Sequence, residues 1–551
     1  MTATLIKKTP KTAPAAPATP PAPGTLPAHA DVVIVGYGPA GAALANLLGR
    51  YGVDTLVVDK AEDILPMPRA IALDNEALRI LQMAGLAEDA FEKIAIPQVR
   101  LHSPYAGEFG RVNTAGCLDG HPKLITFYQP EMEQALRSAV KQHSTVRTAV
   151  GVEMTDFMDL GHEIRLQLRP ADGPAQTISC RYLVAADGSA SPVRARLGVE
   201  FGGETYPQDW LIVDAKHVRS PISDVEFLCD PERPVPHMIA PGGRERWEFM
   251  MKPGETREQV LQPAFLRELL KPWANPDELE IERTAVYRFH ARVADSFRKG
   301  NVFLVGDAAH ITPPFVGQGM CAGLRDVANL GWKLAWVLHG RADARILDSY
   351  DRERRPHAKA MIDLARGMGL LIKPVSPVAG ALSSHLVKNL RRLPPLRALI
   401  DDLKIKPRNR FKEGLFQPRN RDDRLDRGNH LPQVWLRNAA GQGAWSDDAL
   451  GERLTLVGFG VDPLQALSPQ EQAAWTAAGG AFVQISHRGQ LGQPRPELAV
   501  WEDLTGELVP DRAPVGWLAV VRPDRVILHD GPATDAGRLV RETLSLLGLK
   551  G

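Results

Sequence analysis

The stretch "DVVIVGYGPAGAAL", Asp31 to Leu44, sets an apolar run against three glycines and the start of a small-residue helix. Val32, Val33, Ile34 and Val35 have the β-branched composition of a strand buried on both faces in a parallel sheet. Gly36, Gly38 and Gly41 follow in GxGxxG spacing, and Pro39 to Arg50 continues with small and apolar residues at helical period. Each glycine has its own task. Gly36 permits a tight turn, Gly38 lets the backbone approach a pyrophosphate, and Gly41 lets helix and strand pack closely. The pyrophosphate then rests on a helix N-terminus, where free N–H groups and the positive end of the dipole favour an anion. The next strand, "DTLVVDK", ends in Asp59 and Lys60. Its carboxylate lies about 20 residues past the glycines, where a ribose hydroxyl is gripped. Strand, glycines, helix, strand and acid together describe an adenine-dinucleotide site on a Rossmann-like α/β domain.

Outward from this unit the chain returns to strand-like text twice, in "RYLVAADGSASPVRARLG", Arg181 to Gly198, and in "VFLVGDAAHITPPFVGQGM", Val302 to Met320. One sheet assembled from separated segments is implied. The expected organisation is a disordered tail over 1–28, the first part of the dinucleotide domain over 29–200, and an inserted antiparallel sheet over 201–295 that supplies a substrate wall. The second part of the dinucleotide domain, with helices, follows over 296–405, then an Arg-rich linker over 406–429 and a small α/β domain over 430–551.

Composition narrows the classes of function. The 551 residues carry a net charge of +1 with Lys and Arg balanced by Asp and Glu, which argues against nucleic acid or another polyanion as partner. Cys117, Cys180, Cys229 and Cys321 show neither CxxC nor metal-ligand spacing, so no disulfide framework and no metal site is expected, and a reducing cytoplasm fits. The Pro- and Ala-rich N-terminus lacks the apolar core of a secretory signal, and no stretch is long enough to span a bilayer, so a soluble protein without membrane attachment is expected.

Taken together, "VIVGYGPAGAALANLLGRYG", "PRAIALDNEALRILQMAGL", "FYQPEMEQALR", "YLVAADGSASPVRARLG", the long segment around "GDAAHITPPFVGQGM" and "YDRERRPHAKAMI" resemble the single-component FAD-dependent aromatic hydroxylases. Within that group the chain is most similar to the 3-(3-hydroxyphenyl)propionate and 3-hydroxycinnamate hydroxylases. The resemblance implies the aromatic hydroxylase fold and FAD as cofactor, with its adenosine half on the glycine loop and Asp307 on a ribityl hydroxyl. It places Arg69 near the pyrophosphate, Gln129 near the ribityl chain, and Asp187 and Gly188, with Arg194, beside FAD and the nicotinamide donor. Pro313 and Pro314 would stiffen a loop whose Gly317 and Gly319 let backbone meet the flavin ring. The helix after them would point its positive end at the pyrimidine edge. There is no second glycine fingerprint, which agrees with NADH or NADPH docking without a domain of its own.

The chemistry implied is reduction of FAD by NAD(P)H, reaction with O2 to a flavin hydroperoxide, and transfer of one oxygen to a phenolic ring in aromatic catabolism. Hydroxylation of 3-(3-hydroxyphenyl)propionate to 3-(2,3-dihydroxyphenyl)propionate is the foremost expectation. A resorcinol-type or polycyclic phenol, or an oxidase or dehydrogenase reaction, is the alternative. Tyr287 and His290 in "VYRFHARV" are expected on one face of a strand, either to help deprotonate the phenol or as plain wall residues. Ile71 stands where some phenol hydroxylases have an acid. Arg244, Arg246 and Lys252 are open to two roles, pairing with a substrate carboxylate or forming a solvated hairpin face. Trp210, Trp247 and Phe249 either line the ring pocket or are core. The C-terminal segment resembles the thioredoxin-like domain of related phenol hydroxylases but has no CxxC, so a structural role or a homodimer contact is expected of it.

Overall fold

The computed structural model describes residues 26–219, 221–401, 406–419, 421 and 423–549, so the expected tail lies outside the described residues except for its last three. His29–Val35 is the centre of a parallel sheet, flanked by Thr55–Asp59 and then Val146–Val150 on one side, and by Gln176–Ala185 and then Val302–Leu304 on the other. The apolar run fixes that placement, because Val32, Val33 and Ile34 are completely buried, as a strand covered on both faces must be. Gln176–Ala185 is long enough to pair at its other end with an antiparallel meander, Ile164–Pro170 and Val152–Asp159. The helix Pro39–Arg50 packs against Gly319–Leu338, and a side chain at Gly331 would press on Leu44 and Leu47 at their line of contact.

The second sheet has the order His310–Ile311, Glu280–Ala294, Phe201–Lys216, Arg244–Met250, Val235–Ala240, Val225–Leu228, Gln98–Ser103, Gly107–Asn113. Its last two strands come from upstream of residue 201 and are not flagged by the sequence, since neither "QVRLHS" nor "GEFGRVN" has an apolar run. Period-two alternation gives this sheet two distinct faces. Leu211, Val213, Trp247 and Phe249 turn to a back core with Leu266 and Leu270 of the helix Pro263–Leu270. Trp210, Ile212 and Met250 turn forward, toward Tyr287, Phe289 and Phe315.

The C-terminal unit is a seven-stranded mixed sheet whose parallel strands Leu454–Phe459, Gly480–His487 and Leu498–Asp503 are extended by antiparallel neighbours. It meets the helices packed on the first sheet through buried charges: Glu353 accepts from Lys333 Nζ at 2.7 Å and from Arg522 Nη1 at 2.8 Å, and Asp447 accepts from Arg79 Nε at 2.7 Å. The segment 406–429, expected as an Arg-rich linker, packs against the C-terminal sheet where it is described. Phe411, Leu415, Phe416 and Leu425 are buried, the Gln417 N–H donates to Leu528 O at 2.8 Å, and Arg427 is buried against Asp530. Its arginines look solvent-seeking in the sequence, but Arg427 finds a carboxylate and the interleaved aromatics anchor the strap. No single helix among the described residues is long and apolar enough to cross a membrane.

Candidate active site

The turns that follow the parallel strands converge at one edge of the first sheet, where ligands bind in open α/β folds. A Cβ on Gly36, whose φ is +105°, would lie 2.2 Å from Ala186 O, and one on Gly41 would lie 1.9 Å from Gly36 O. The glycine loop therefore sits directly on the Asp187-Gly188 turn. Gly38 has nothing within 4 Å of its would-be Cβ, leaving open the position from which backbone can approach a phosphate. Asp59 accepts from the Tyr37 N–H at 2.7 Å and from the Ala61 N–H at 2.8 Å, so it braces the loop as well as facing the site. Lys60 is exposed and makes no bond among the described residues.

The other motif residues close around the same place. Gln129 Oε1 accepts from the backbone N–H groups of Arg69 and Ala70, both at 2.8 Å, tying the two expected contacts together. Arg194 Nη1 donates to Ala308 O and Nη2 to Ser189 O, both at 2.8 Å, which locks the Asp187 turn to the Asp307 turn. Burial raises the pKa of Asp307, partly offset by His310 and Arg69, and its carboxylate accepts no hydrogen bond among the described residues. Burial likewise raises Asp187, whose Oδ1 is buried without a partner while Oδ2 accepts from the Val193 N–H at 3.2 Å. Beneath the Asp307 turn, His310 Nε2 donates to Asp326 at 2.7 Å, and Asp326 also accepts from the Gly306 N–H at 3.1 Å and from Arg354 Nε at 3.0 Å. This buried network was missed by sequence reasoning, although "GDAAH", "GLRDVANL" and "YDRERRP" contain its members. Pro314 is exposed on a 3-10 turn that ends at Gly317, φ +62°, and Gly319 begins the next helix.

FAD fits this arrangement. The helices beginning at Pro39 and Gly319 both lack a side-chain cap, so the first-turn N–H groups, from Ala40 onward in one and from Gly319 onward in the other, suit a pyrophosphate and the flavin carbonyls. The unpartnered Asp307 carboxylate suits a hydroxyl donor of the ribityl chain, and the space at Gly38 suits close backbone contact. A Cβ on Gly317 or Gly319 would meet only ordinary van der Waals neighbours, which leaves both open toward the ring.

The front face of the second sheet lies across from this loop, with the Trp210 and Phe315 rings 5.9 Å apart. Cross-strand register arranges it in rows: Met250, Trp210 and Tyr287; then Glu248, Ile212 and Ala285; then Arg246, Asp214 and Arg283. In the last row one carboxylate serves two guanidiniums, with Asp214 accepting from Arg246 Nε at 2.6 Å and from Arg283 Nη1 at 3.0 Å. Arg283 Nη2 donates to the Tyr287 hydroxyl at 2.6 Å. Arg246 also donates to the carbonyl oxygens of Arg69 and Pro68, linking this face to the cofactor loop. A cleft of about 450 Å³ opens beside the charged row, between Met67, Tyr128, Arg244 and Arg246.

Several expectations are corrected by this geometry. Tyr287 and His290 do not share a face: three residues apart on a strand, they point to opposite sides, and His290 Nδ1 lies 2.9 Å from Thr205 Oγ1 on the face away from Trp210. Phe249 and Trp247 belong to the back core and cannot line the front face that Trp210 lines. Arg246 is 2% exposed, not part of a solvated hairpin, while Arg244 pairs with Glu282 and Lys252 with Glu232. Asp214, Arg283 and Glu248 were not singled out in the sequence, although the alternation in "RERWEFM" puts Arg246 and Glu248 on one side and Trp247 and Phe249 on the other.

Known proteins resemble this chain over most of its length. Residues 29–365 match the FAD binding domain family, and residues 428–546 match the HcaD C-terminal domain family. The chain is 38% identical over 508 residues to a 3-(3-hydroxy-phenyl)propionate/3-hydroxycinnamic acid hydroxylase of Burkholderia cenocepacia, covering 90% of this chain and 93% of the relative. It is 34% identical over 536 residues to the protein of the same description from Escherichia coli K12, covering 94% and 95%. Among solved structures it shares the fold of the flavin-dependent monooxygenase PieE in complex with FAD and substrate, with a TM-score of 0.79 and 22% identity over 96% of this chain and 100% of that one. Aklavinone-11 hydroxylase, in a ternary complex with FAD and aklavinone, is similar at a TM-score of 0.72 and 23% identity, covering 94% and 99%. With an FAD binding domain match over residues 29–365 and relatives this similar along nearly the whole length, the chain belongs to the FAD-dependent aromatic hydroxylases.

Proposed function

We propose that this protein hydroxylates a small phenolic acid, 3-(3-hydroxyphenyl)propionate, to 3-(2,3-dihydroxyphenyl)propionate, with NADH or NADPH as electron donor. The observation that carries this is the row structure of the front face: an aromatic row for a ring and, four residues along the strands, a charged row for a carboxylate. Arg246 and Arg283 share the single charge of Asp214, so one positive charge is left for an acid. The names of the relatives from Burkholderia and Escherichia support the same substrate class.

Bound FAD supplies hydride acceptance from NAD(P)H and activation of dioxygen. This chain's residues supply the rest. Gly36, Gly38, Asp59, Arg69, Gln129, Asp187 and Asp307 hold the cofactor. Trp210 and Phe289, stacked at 5.2 Å, offer an apolar wall that keeps water from the ring, and Phe315 closes it from the cofactor side. Because the Tyr287 oxygen accepts from Arg283, its own proton is free to be donated to the substrate oxygen and to fix the ring's pose. The enzyme works in the cytoplasm, where its free cysteines stay reduced. A homodimer is the assembly proposed, readable by light scattering on the eluted protein; a monomeric mass would refute it.

The test is a panel of four compounds against the FAD-loaded protein, following NAD(P)H, hydrogen peroxide and catechol together: 3-(3-hydroxyphenyl)propionate, 3-phenylpropionate without the hydroxyl, resorcinol without the carboxylate, and a polycyclic phenol. The first is expected to give the fastest oxidation with product matching NAD(P)H consumed. Better coupling with resorcinol or the polycycle would overturn the substrate and leave the hydroxylase.

A further inference from the structure

We propose that Glu248 is the general base that takes the proton from the substrate phenol. The inference rests on the phenolic-acid function above and deepens it by naming the group that ionises the ring. Glu248 stands on the front face between the aromatic and the charged rows, with Ile212 and Ala285 as its cross-strand neighbours. Along the strand Arg246 lies two residues away, about 7 Å, a spacing comparable to the span between the hydroxyl and the carboxylate of a meta-hydroxyphenylpropionate.

What sets Glu248 apart is that nothing occupies its oxygens. It is 7% exposed, yet it makes no hydrogen bond and no ion pair among the described residues. A buried carboxylate without a donor costs stability, and such exceptions call for a reason. The other carboxylates nearby are committed. Asp214 is saturated by Arg246 and Arg283, Glu245 is bonded to His237 and to the Ile222 N–H on the back of the sheet, and Glu282 pairs with Arg244 and Lys216. Among the described residues of the front face, Glu248 alone is a carboxylate free to accept a proton.

Its charged surroundings tune it for that task. Burial pushes the Glu248 pKa up to about 7, opposed by Arg246 on its own strand, reinforced by Asp214 on the adjacent strand and opposed by Arg283 on the strand beyond. Tyr287, Tyr206 and Cys229 are further titratable groups packed on this face. A base poised near the working pH combines enough ionised form with enough basicity. In the step itself the phenol O–H bond breaks and a carboxylic O–H bond forms on Glu248. The electron pair stays on the phenolate oxygen and enriches the ring carbon ortho to it, and the proton leaves to water when product departs. As pH falls through about 7 Glu248 takes up a proton and the base is lost.

The experiment titrates the phenolate absorption of 3-(3-hydroxyphenyl)propionate bound to the FAD holoenzyme without NAD(P)H, in the wild type, E248Q and E248D, beside the pH profile of hydroxylation. Ionisation in the wild type is expected at least about one pH unit below its value in solution, returning toward that value in E248Q. Hydroxylation near neutrality should fall about 100-fold in E248Q and recover as pH nears the phenol's own pKa, while E248D keeps the low ionisation. A wild-type midpoint and profile in E248Q overturn the proposal. So does a wild-type bound phenol that stays protonated through the pH range of turnover, an outcome that needs no variant. If the wild type neither binds nor hydroxylates this phenol, the substrate assignment fails instead, and the same titration with the best phenol of the panel still decides the role of Glu248.

Discussion

Replacing Gly36 and Gly38 separately by alanine should break the cofactor site in two different ways. At Gly36 the backbone has φ +105°, where an L side chain is strained, and the new Cβ would lie 2.2 Å from Ala186 O and 2.5 Å from Ala186 C. Those are backbone atoms of a turn whose Ala186 N–H donates to Val35 O at 2.8 Å, so relief requires moving one sheet strand against another. The conformational strain costs about 1–3 kcal/mol, and the contact adds to it, so apo G36A should lose roughly 3 kcal/mol of stability and most of its FAD affinity. At Gly38 the backbone is extended, φ −72° and ψ −173°, and the new Cβ would meet nothing within 4 Å. Apo G38A should therefore unfold within about 0.5 kcal/mol of wild type. Its methyl group would instead hold the pyrophosphate off the helix N-terminus. Losing one charge-assisted hydrogen bond at about 1.5–3 kcal/mol raises the FAD dissociation constant roughly 10- to 100-fold. Urea unfolding of the apo proteins and FAD titration by flavin fluorescence read the two effects independently. Wild-type FAD affinity in G38A, or a wild-type unfolding midpoint in apo G36A, would refute the reasoning.

Asp307→Asn keeps the shape but removes the anionic acceptor, and FAD affinity should fall about tenfold at neutral pH. Because burial raises the wild-type pKa, wild-type affinity should drop as pH falls through a value above the ordinary carboxylate range, and the variant's should stay flat. Glu353→Ala strands Lys333 and Arg522 in the interface and should cost about 3–5 kcal/mol in urea unfolding. Burial alone would raise the Glu353 pKa, but Arg522 and Lys333 more than offset it and hold it below the ordinary range. Its contribution is therefore complete above that range and is lost as pH falls below it, an acid-side slope that the variant should lack. Tyr287→Phe should leave FAD titration unchanged and cut hydroxylation about 100-fold, whereas His290→Ala, on the opposite face, should hydroxylate within about twofold of wild type. Equal losses in the two variants would contradict the division of the sheet into faces.

The dinucleotide unit was legible because its physics is local. A glycine turn, the strand before it and the acid ending the next strand sit close together in the sequence, and the clash distances at Gly36 and Gly41 express that same economy of space. The front face was not legible for the opposite reason. Glu248 owes its character to Ile212 and Ala285, partners from distant strands, and nothing in "RERWEFM" alone distinguishes a solvated glutamate from a buried one. Arg246 stayed open to two roles, and Arg283 drew no notice, because the Asp214 that pairs both comes from another strand. Tyr287 and His290 lay in the right strand but were assigned one face against a spacing of three. In the segment 406–429, abundant arginine masked the buried Phe411 and Phe416, because composition records charge without recording its partner.

The central claim is oxygen insertion into a bound phenol, and single turnover under isotopically labelled dioxygen tests it most directly. FAD-loaded protein, reduced with NAD(P)H in the presence of 3-(3-hydroxyphenyl)propionate and then mixed with labelled O2, should yield a catechol carrying one labelled oxygen atom per flavin. Oxygen drawn from water instead, or reoxidation that returns the phenol unchanged with labelled peroxide alone, would contradict the account.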